Sequence, residues 1–184
     1  MNNESRKYKV IDLFCGVGGF RLGFPKSKFK FVFSSDFDKN CQIVYQNNFD
    51  ELPKGDITKI DVDEIPDFDI LTGGFPCQPF SISGKKKGFE DTRGTLFFDI
   101  CRIIQSKSPK VVVLENVKHF INHDKKRTLS TVIQSLTNLG YNTVYKVLNT
   151  SDFGLPQNRE RVFIIGTKRG VFDFSKINFK KSKP

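Results

Sequence analysis

The chain has 184 residues, 38% of them hydrophobic, with 20 Phe and no Trp, enough for one domain with a real core. No run of 18 apolar residues occurs, and the opening "MNNESRKYKV" lacks an apolar stretch before a cleavage site, which argues against a membrane span and a secretory signal. Thirty Lys and Arg against 20 Asp and Glu give a formal charge of +10, a surplus that suits a polyanionic partner whose phosphates release counterions when neutralised.

The four cysteines, at 15, 41, 77 and 101, form no CxxC pair and no small disulfide framework, which fits a reducing cytoplasm. In chain order, "YKVIDLF" (8–14) reads as a buried strand and "GVGGFRLGF" as a glycine turn entering a short helix. "KFVFSSD" (30–36) reads as a second strand, and "DKNCQIVYQNNF" (38–49) as a helix with Cys41, Val44, Tyr45 and Asn48 at helical spacing. "DILTGG" (69–74) is a third strand, "GTLFFDICRIIQ" (94–105) a helix, "KVVVLEN" (110–116) a fourth strand, and "TLSTVIQSLTNLG" (128–140) a helix stopped by Gly140. "NTVYKVLN" (142–149) and "ERVFIIG" (160–166) follow with no helix between them, which predicts an antiparallel hairpin at the sheet edge. The alternation of apolar strands and helices predicts an α/β fold: a mostly parallel twisted sheet with helices on both faces.

In such sheets ligands bind at the carboxyl ends of the strands, where the chemically distinctive residues fall. After the first strand come Phe14, Gly16, Gly18 and Gly19, a backbone that lets a ligand approach closely, although G-x-G-G is short of the full dinucleotide fingerprint. Asp36 ends the second strand about 20 residues on, where a carboxylate accepts from ribose hydroxyls and repels a ribose phosphate. "GDI" adds Asp56 and Ile57, a carboxylate and an apolar neighbour suited to gripping an adenine. Together these describe a Rossmann-like pocket for an adenosine without a ribose phosphate, either S-adenosyl-L-methionine or NAD.

Cys77 follows the third strand, held between Pro76 and Pro79, which restrict the backbone on either side. The next stretch, "FSISGKKKGFEDTRG", is basic and rich in donors, as expected of a lid over a nucleophile that closes on an anion. Glu115 and Asn116 end the fourth strand. Arg159 and Arg161 precede the last strand, alternate with Glu160, and so share a face of the sheet.

"DLFCGVGGF", "GFPCQPFSISGKKKGFEDTRGTLFFDICRII", "ENV" and "QNRERVFIIG" together resemble, in order and spacing, the motifs of bacterial DNA (cytosine-5-)methyltransferases of the HhaI-like type. The resemblance runs from about Tyr8 to Thr167. It implies a Rossmann-like S-adenosylmethionine-dependent fold in which residues 1–170 bind cofactor and catalyse, and 171–184 begin a linker or basic tail. It implies that the Cys77 thiolate adds to C6 of a flipped cytosine, that protonated Glu115 donates to N3, and that Arg161 binds O2 with Arg159 in support. It carries cofactor binding over to Phe14, Gly16, Gly18, Asp36, Phe37, Asp56, Ile57, Pro76 and Leu96. DNA contacts fall on Gln78, Ser81, Ser83, Lys85 and Arg93 of the loop.

Asp36 stands where the family more often has glutamate, and Phe37 where it often has tryptophan. Family members also continue into a target-recognition region and return with a helix that completes the cofactor pocket. The resemblance therefore leaves two arrangements open, a subunit completed by a second polypeptide or a truncated piece. The expected partner is double-stranded DNA in a bacterial cytoplasm, as part of a restriction-modification system, with no membrane and no metal. Other readings fit less well. An RNA cytosine-5 methyltransferase would carry a Cys-Phe-Thr that is absent here. An amino-methyltransferase would use an Asp/Asn-Pro-Pro-aromatic loop, and a degenerate DNA-binding module would have lost Cys77, Glu115 or Arg161. The pair His119 and His123 in "HFINH" has no carboxylate or thiol pattern beside it and reads as two solvated histidines rather than a metal site.

Overall fold

The computed structural model describes residues 6–76 and 96–179. Six strands make one sheet: β1 (Tyr8–Leu13), β2 (Phe29–Ser35), β3 (Ile70–Gly73), β4 (Val111–Val117), β5 (Asn142–Asn149) and β6 (Glu160–Thr167), in the order β2-β1-β3-β4-β6-β5. β1 pairs in parallel with β2 and β3, and β3 in parallel with β4. β6 runs antiparallel to both β4 and β5. The last two strands thus pair antiparallel, as the sequence predicts, with β5 outermost and β6 filling the slot beside β4. The β-branched and apolar runs of β1 and β3 are almost wholly buried, the pattern of parallel strands covered on two sides.

Among the described residues four α-helices flank the sheet: α1 (Gly19–Gly23), α2 (Lys39–Phe49), α3 (Leu96–Lys107) and α4 (Arg127–Asn138). Phe97, Ile100, Cys101 and Ile104 of α3 recur at three- and four-residue steps, as do Leu129, Val132 and Leu136 of α4. They meet Ile11, Leu13, Leu71, Val112, Leu114, Val162 and Ile164 in one core. Full burial of each such side chain contributes roughly 1.5–3 kcal/mol, so this layer dominates the hydrophobic stabilisation.

The opposite face is covered unevenly. Tyr45 of α2 is fully buried and reaches Ser34 of β2. Cys41 is only half-buried, however, and Val44 and Asn48 are exposed, so the four-residue stripe predicted for α2 narrows to one contact line. Tyr45 carries that contact to β2, and its ring packs on Phe49 one turn on, 4.7 Å between centroids. Asp38 caps the start of α2 by accepting from Asn40 N at 2.8 Å. On this same face the described helices leave Val111 and Val113 of β4, Phe163 of β6, and Val144 and Leu148 of β5 only partly covered.

The register sets Leu13 beside Ser35 and Gly73, and Gly73 beside Leu114. The four parallel strands therefore end along one edge, and the site residues collect there.

Candidate active site

Glu115 and Arg161 meet across β4 and β6. The antiparallel register opposes Val117 to Arg161 and Glu115 to Phe163, so Glu115 and Arg161 are diagonal neighbours on one face. Arg161 Nε lies 2.8 Å from Glu115 Oε1, with both side chains about three-quarters buried. Glu160 alternates to the other side, where both of its oxygens accept from Lys118 Nζ at 2.8 Å. Burial pushes the Glu115 carboxyl above its usual range, against the opposing charges of Arg161 and Arg159. Arg159 is exposed, and its backbone N–H donates to Asn149 Oδ1 at 3.0 Å.

The chain leaving β3 passes directly over this pair. A Cβ on Gly74 would stand 3.5 Å from Glu115 Oε2, so the carboxyl lies against the segment leading to position 77. Phe75 is buried between Phe97 and Phe120, its ring centroid 5.6 and 5.5 Å from theirs. Its carbonyl accepts from Asn116 Nδ2 at 2.8 Å, and Asn116 Oδ1 accepts from Val117 N. The backbone is thus pinned up to Pro76, which is exposed. The candidates Cys77, Gln78, Ser81, Ser83, Lys85 and Arg93 lie outside the described residues. Asn116 was read in the sequence only as the neighbour of Glu115, and its spacing carried no signal of the bond to Phe75.

The remaining candidates line the same edge further along. Phe14 has φ +55°, Gly16 +52° and Gly18 +92°, a run of left-handed backbone that turns the chain sharply out of β1. Asp36 holds this turn: its Oδ2 accepts from Gly16 N at 2.7 Å and its Oδ1 from Asp38 N at 2.9 Å. Among the described residues nothing lies within 4 Å of a Cβ built on Gly16, so they leave the outer side of the turn open. Phe37 is 70% exposed, a bare ring beside Asp36. Asp56 reaches the same edge because Ser35 and Lys54 form a parallel bridge alongside β2. Its Oδ1 accepts from Thr58 N and Oγ1 at 3.1 and 2.8 Å, bonds that hold its carboxyl below the usual range. The Ile57 side chain, expected against a ligand, is instead buried in the core, while its carbonyl accepts from Arg102 Nη2 at 3.0 Å. Leu96 opens α3 and is half-buried.

An adenosine-bearing cofactor fits what is present. Each Asp36 oxygen uses one acceptor site on the backbone and retains capacity for a ribose hydroxyl. The open glycine turn and the bare Phe37 ring supply close approach and a stacking surface. Among the described residues no group of three or more His, Cys, Asp or Glu could hold a metal ion, and no described helix is long and apolar enough to cross a membrane. The rings of His119 and His123 lie edge-on at 6.5 Å, and His123 Nδ1 is 2.7 Å from Thr128 Oγ1.

Known proteins resemble this chain in sequence and in fold. Type II methyltransferase M.NgoBI of Neisseria gonorrhoeae is 59% identical over 159 residues, 86% of this chain and 50% of its own length. Type II methyltransferase M.HhaI of Haemophilus parahaemolyticus is 52% identical over 176 residues, 96% of this chain and 53% of its own. The chain thus spans about half the length of the curated relatives it matches. Among solved structures, S. pombe Dnmt2 methyltransferase shares the fold at TM-score 0.72 and 22% identity, over 92% of this chain and 53% of its own. A putative DNA modification methyltransferase from an E. coli prophage matches at TM-score 0.72 and 26% identity, over 88% of this chain and 47% of its own. The family described as C-5 cytosine-specific DNA methylase matches residues 8–184, and the chain belongs to that family.

Proposed function

We propose that this chain carries the catalytic and cofactor-binding part of a DNA (cytosine-5-)methyltransferase of a bacterial restriction-modification system, acting in the cytoplasm on double-stranded DNA. The observation that carries the reading is the Glu115–Arg161 pair, set against Gly74 at the root of the segment that holds Cys77. Cytosine C5 is a poor nucleophile, and the chemistry needs a thiolate at C6 together with an acid at N3. Cys77 forms the C6–S bond, and the displaced electron density is taken up as Glu115 passes its proton to N3. Arg161 donates a hydrogen bond to the cytosine O2 and fixes the ring, with Arg159 adding positive charge nearby.

The raised Glu115 carboxyl suits an acid that must hold a proton before the reaction. Bound S-adenosyl-L-methionine supplies the electrophilic methyl group. Asp36, Phe37, Asp56 and the Phe14–Gly18 turn hold its adenosine half, with Pro76 and Leu96 closing the side towards Cys77. Loss of the C5 proton to a base then turns the C5–H electron pair into the C5–C6 double bond, while the C6–S pair leaves with sulfur and restores the Cys77 thiolate. The base must leave the duplex first, at about a few kcal/mol. Gln78, Ser81, Ser83, Lys85 and Arg93 are assigned to the DNA around it. Target recognition is assigned to a region like that of the longer relatives, supplied in the same polypeptide or by a second one.

The test is Cys77→Ser in the complete enzyme, with any partner supplied. Methyl transfer should disappear while cofactor affinity stays near wild type, because a serine hydroxyl is a far weaker nucleophile near neutral pH. Retention of a tenth of wild-type turnover would sink covalent catalysis by Cys77.

A further inference from the structure

Helix α1 follows directly on the glycine turn, yet it has little of its own to hold it in place. It is five residues long, buries no side chain, and its N-cap Gly18 offers no side-chain acceptor. A helix this short is unstable unless tertiary contacts hold it. One side chain supplies most of them. Arg21 Nη1 donates to Glu51 Oε2 at 2.7 Å and to Tyr45 Oη at 3.0 Å. The guanidinium also lies 4.8 Å from the ring centroid of Phe49 and 5.4 Å from those of Phe31 and Tyr45.

The partners of Arg21 are themselves tied to the sheet. Tyr45 is fully buried, its hydroxyl 2.7 Å from Ser34 Oγ, and Ser34 Oγ lies 3.1 Å from Glu51 Oε1. Both Glu51 oxygens and the Tyr45 hydroxyl therefore join α1 to β2 and α2 in one partly buried network. Phe49 serves twice: its ring faces Arg21 and also fills the space next to Gly18, where a Cβ would overlap it.

We infer that Arg21 is a positioning residue for the cofactor, acting through α1 to hold the Gly16–Gly18 turn at the height set by the Arg21–Glu51–Tyr45 network. The inference rests on the reading of that turn as the cofactor cradle. Asp36 secures the turn at Gly16 and Arg21 secures it four residues beyond Val17. Two separate anchors leave the backbone between them little freedom to lose when a ligand binds. Arginine suits this place because Nη1 donates to both oxygens while the delocalised, weakly hydrated guanidinium also lies beside three aromatic rings, a combination that a compact, strongly hydrated ammonium makes less well.

The experiment measures affinity for S-adenosylhomocysteine by titration calorimetry on the complete enzyme, with any partner supplied, together with amide hydrogen exchange. Arg21→Met should weaken binding about tenfold and speed exchange at 16–22, leaving exchange in β1, β3 and β4 unchanged. Arg21→Lys should recover only part of the affinity. Tyr45→Phe and Glu51→Gln, which keep Arg21 and remove one partner each, should weaken binding about threefold, and they decide the matter if Arg21→Met does not fold. Unchanged affinity in Arg21→Met, or in both partner variants, would overturn the inference. So would a loss accompanied by faster exchange across the whole sheet, which would mark Arg21 as merely structural. Asp36→Ala separates the two readings. If Asp36→Ala weakens binding and Arg21→Met does not, only the role of Arg21 falls. If neither variant matters, or the complete wild-type enzyme does not bind, the cofactor cradle falls and this inference with it.

Discussion

Asp12 shows how one residue in the middle of a sheet acquires a pH-dependent role. It sits on β1 between Ser34 and Thr72 of the flanking strands and is fully buried. Thr72 Oγ1 donates to its Oδ1 at 2.7 Å, while Oδ2 has no hydrogen-bond partner among the described residues. Burial pushes the carboxyl up to about 7, against the Thr72 bond and the charge of Arg21; Asp36 adds a smaller push in the same direction. A proton is therefore bound more tightly in the folded chain than in the unfolded one. The associated stability is fully present below the ordinary carboxylate value of 3.8 and is lost as pH rises through about 7. Asp12→Asn should remove this fall, which is worth on the order of a few kcal/mol. Urea unfolding of wild type and variant between pH 4 and 8 checks it, and parallel curves for the two proteins would contradict it. Glu115 is linked in the same direction, since burial raises it too, but its partners Arg161 and Arg159 moderate the effect.

At the scale of elements, the turn between β1 and α1 is specified by backbone conformation more than by side chains. Gly16 and Gly18 both have positive φ, but their surroundings differ. Gly16 faces open space, whereas Gly18 abuts the Phe49 ring. Gly16→Ala should cost only the left-handed strain, about 1–2 kcal/mol. Gly18→Ala adds overlap with a ring that is itself held by Arg21 and Tyr45, and should cost roughly 1–3 kcal/mol more. Denaturant titration of both variants measures the difference, and equal losses would show that the Phe49 ring yields freely. Shortening the ring in a Gly18→Ala, Phe49→Leu pair should recover part of the loss, because the two positions share one volume.

Across the whole molecule, the two faces of the sheet are unequal. One face carries α3 and α4 over a continuous apolar core. The other carries α1 and α2 near β2, and leaves Val113, Phe163, Val144 and Leu148 half-covered on β4, β6 and β5. Apolar surface of this kind drives association when nothing shields it. The 184-residue chain should therefore self-associate at high concentration, and Val144→Glu with Leu148→Glu should keep it monomeric. Sedimentation velocity over a concentration series tests this, and concentration-independent monomer in the wild-type chain would rule it out. Tyr145, on the other side of the same edge strand and 45% exposed, serves as the control: Tyr145→Glu should leave association unchanged.

The sequence by itself determined the strands and helices, because apolar runs and helical spacing are local properties of neighbouring residues. It also marked the strand-end residues, since Gly16, Gly18, Asp36, Cys77 and Glu115 each follow an apolar run that reads as a strand or its turn. The glycines and Asp36 read as an adenosine pocket by position alone, whereas the cytosine chemistry of Cys77 and Glu115 was legible only through the family resemblance carried by "GFPCQPF", "ENV" and "QNRER". What it left undecided were contacts between distant positions. Whether Asp36 would reach Gly16, Arg21 reach Glu51, or Asn116 reach Phe75 depends on strand order and register, and no spacing encodes those. The same holds for Ile57, whose apolar side chain suited a ligand wall equally well until the fold turned it inward. The breadth of the α2 stripe was likewise a tertiary matter, because of its four residues only Tyr45 is fully buried and bonded to β2. Local pattern specifies which elements form; only packing specifies which of their side chains meet.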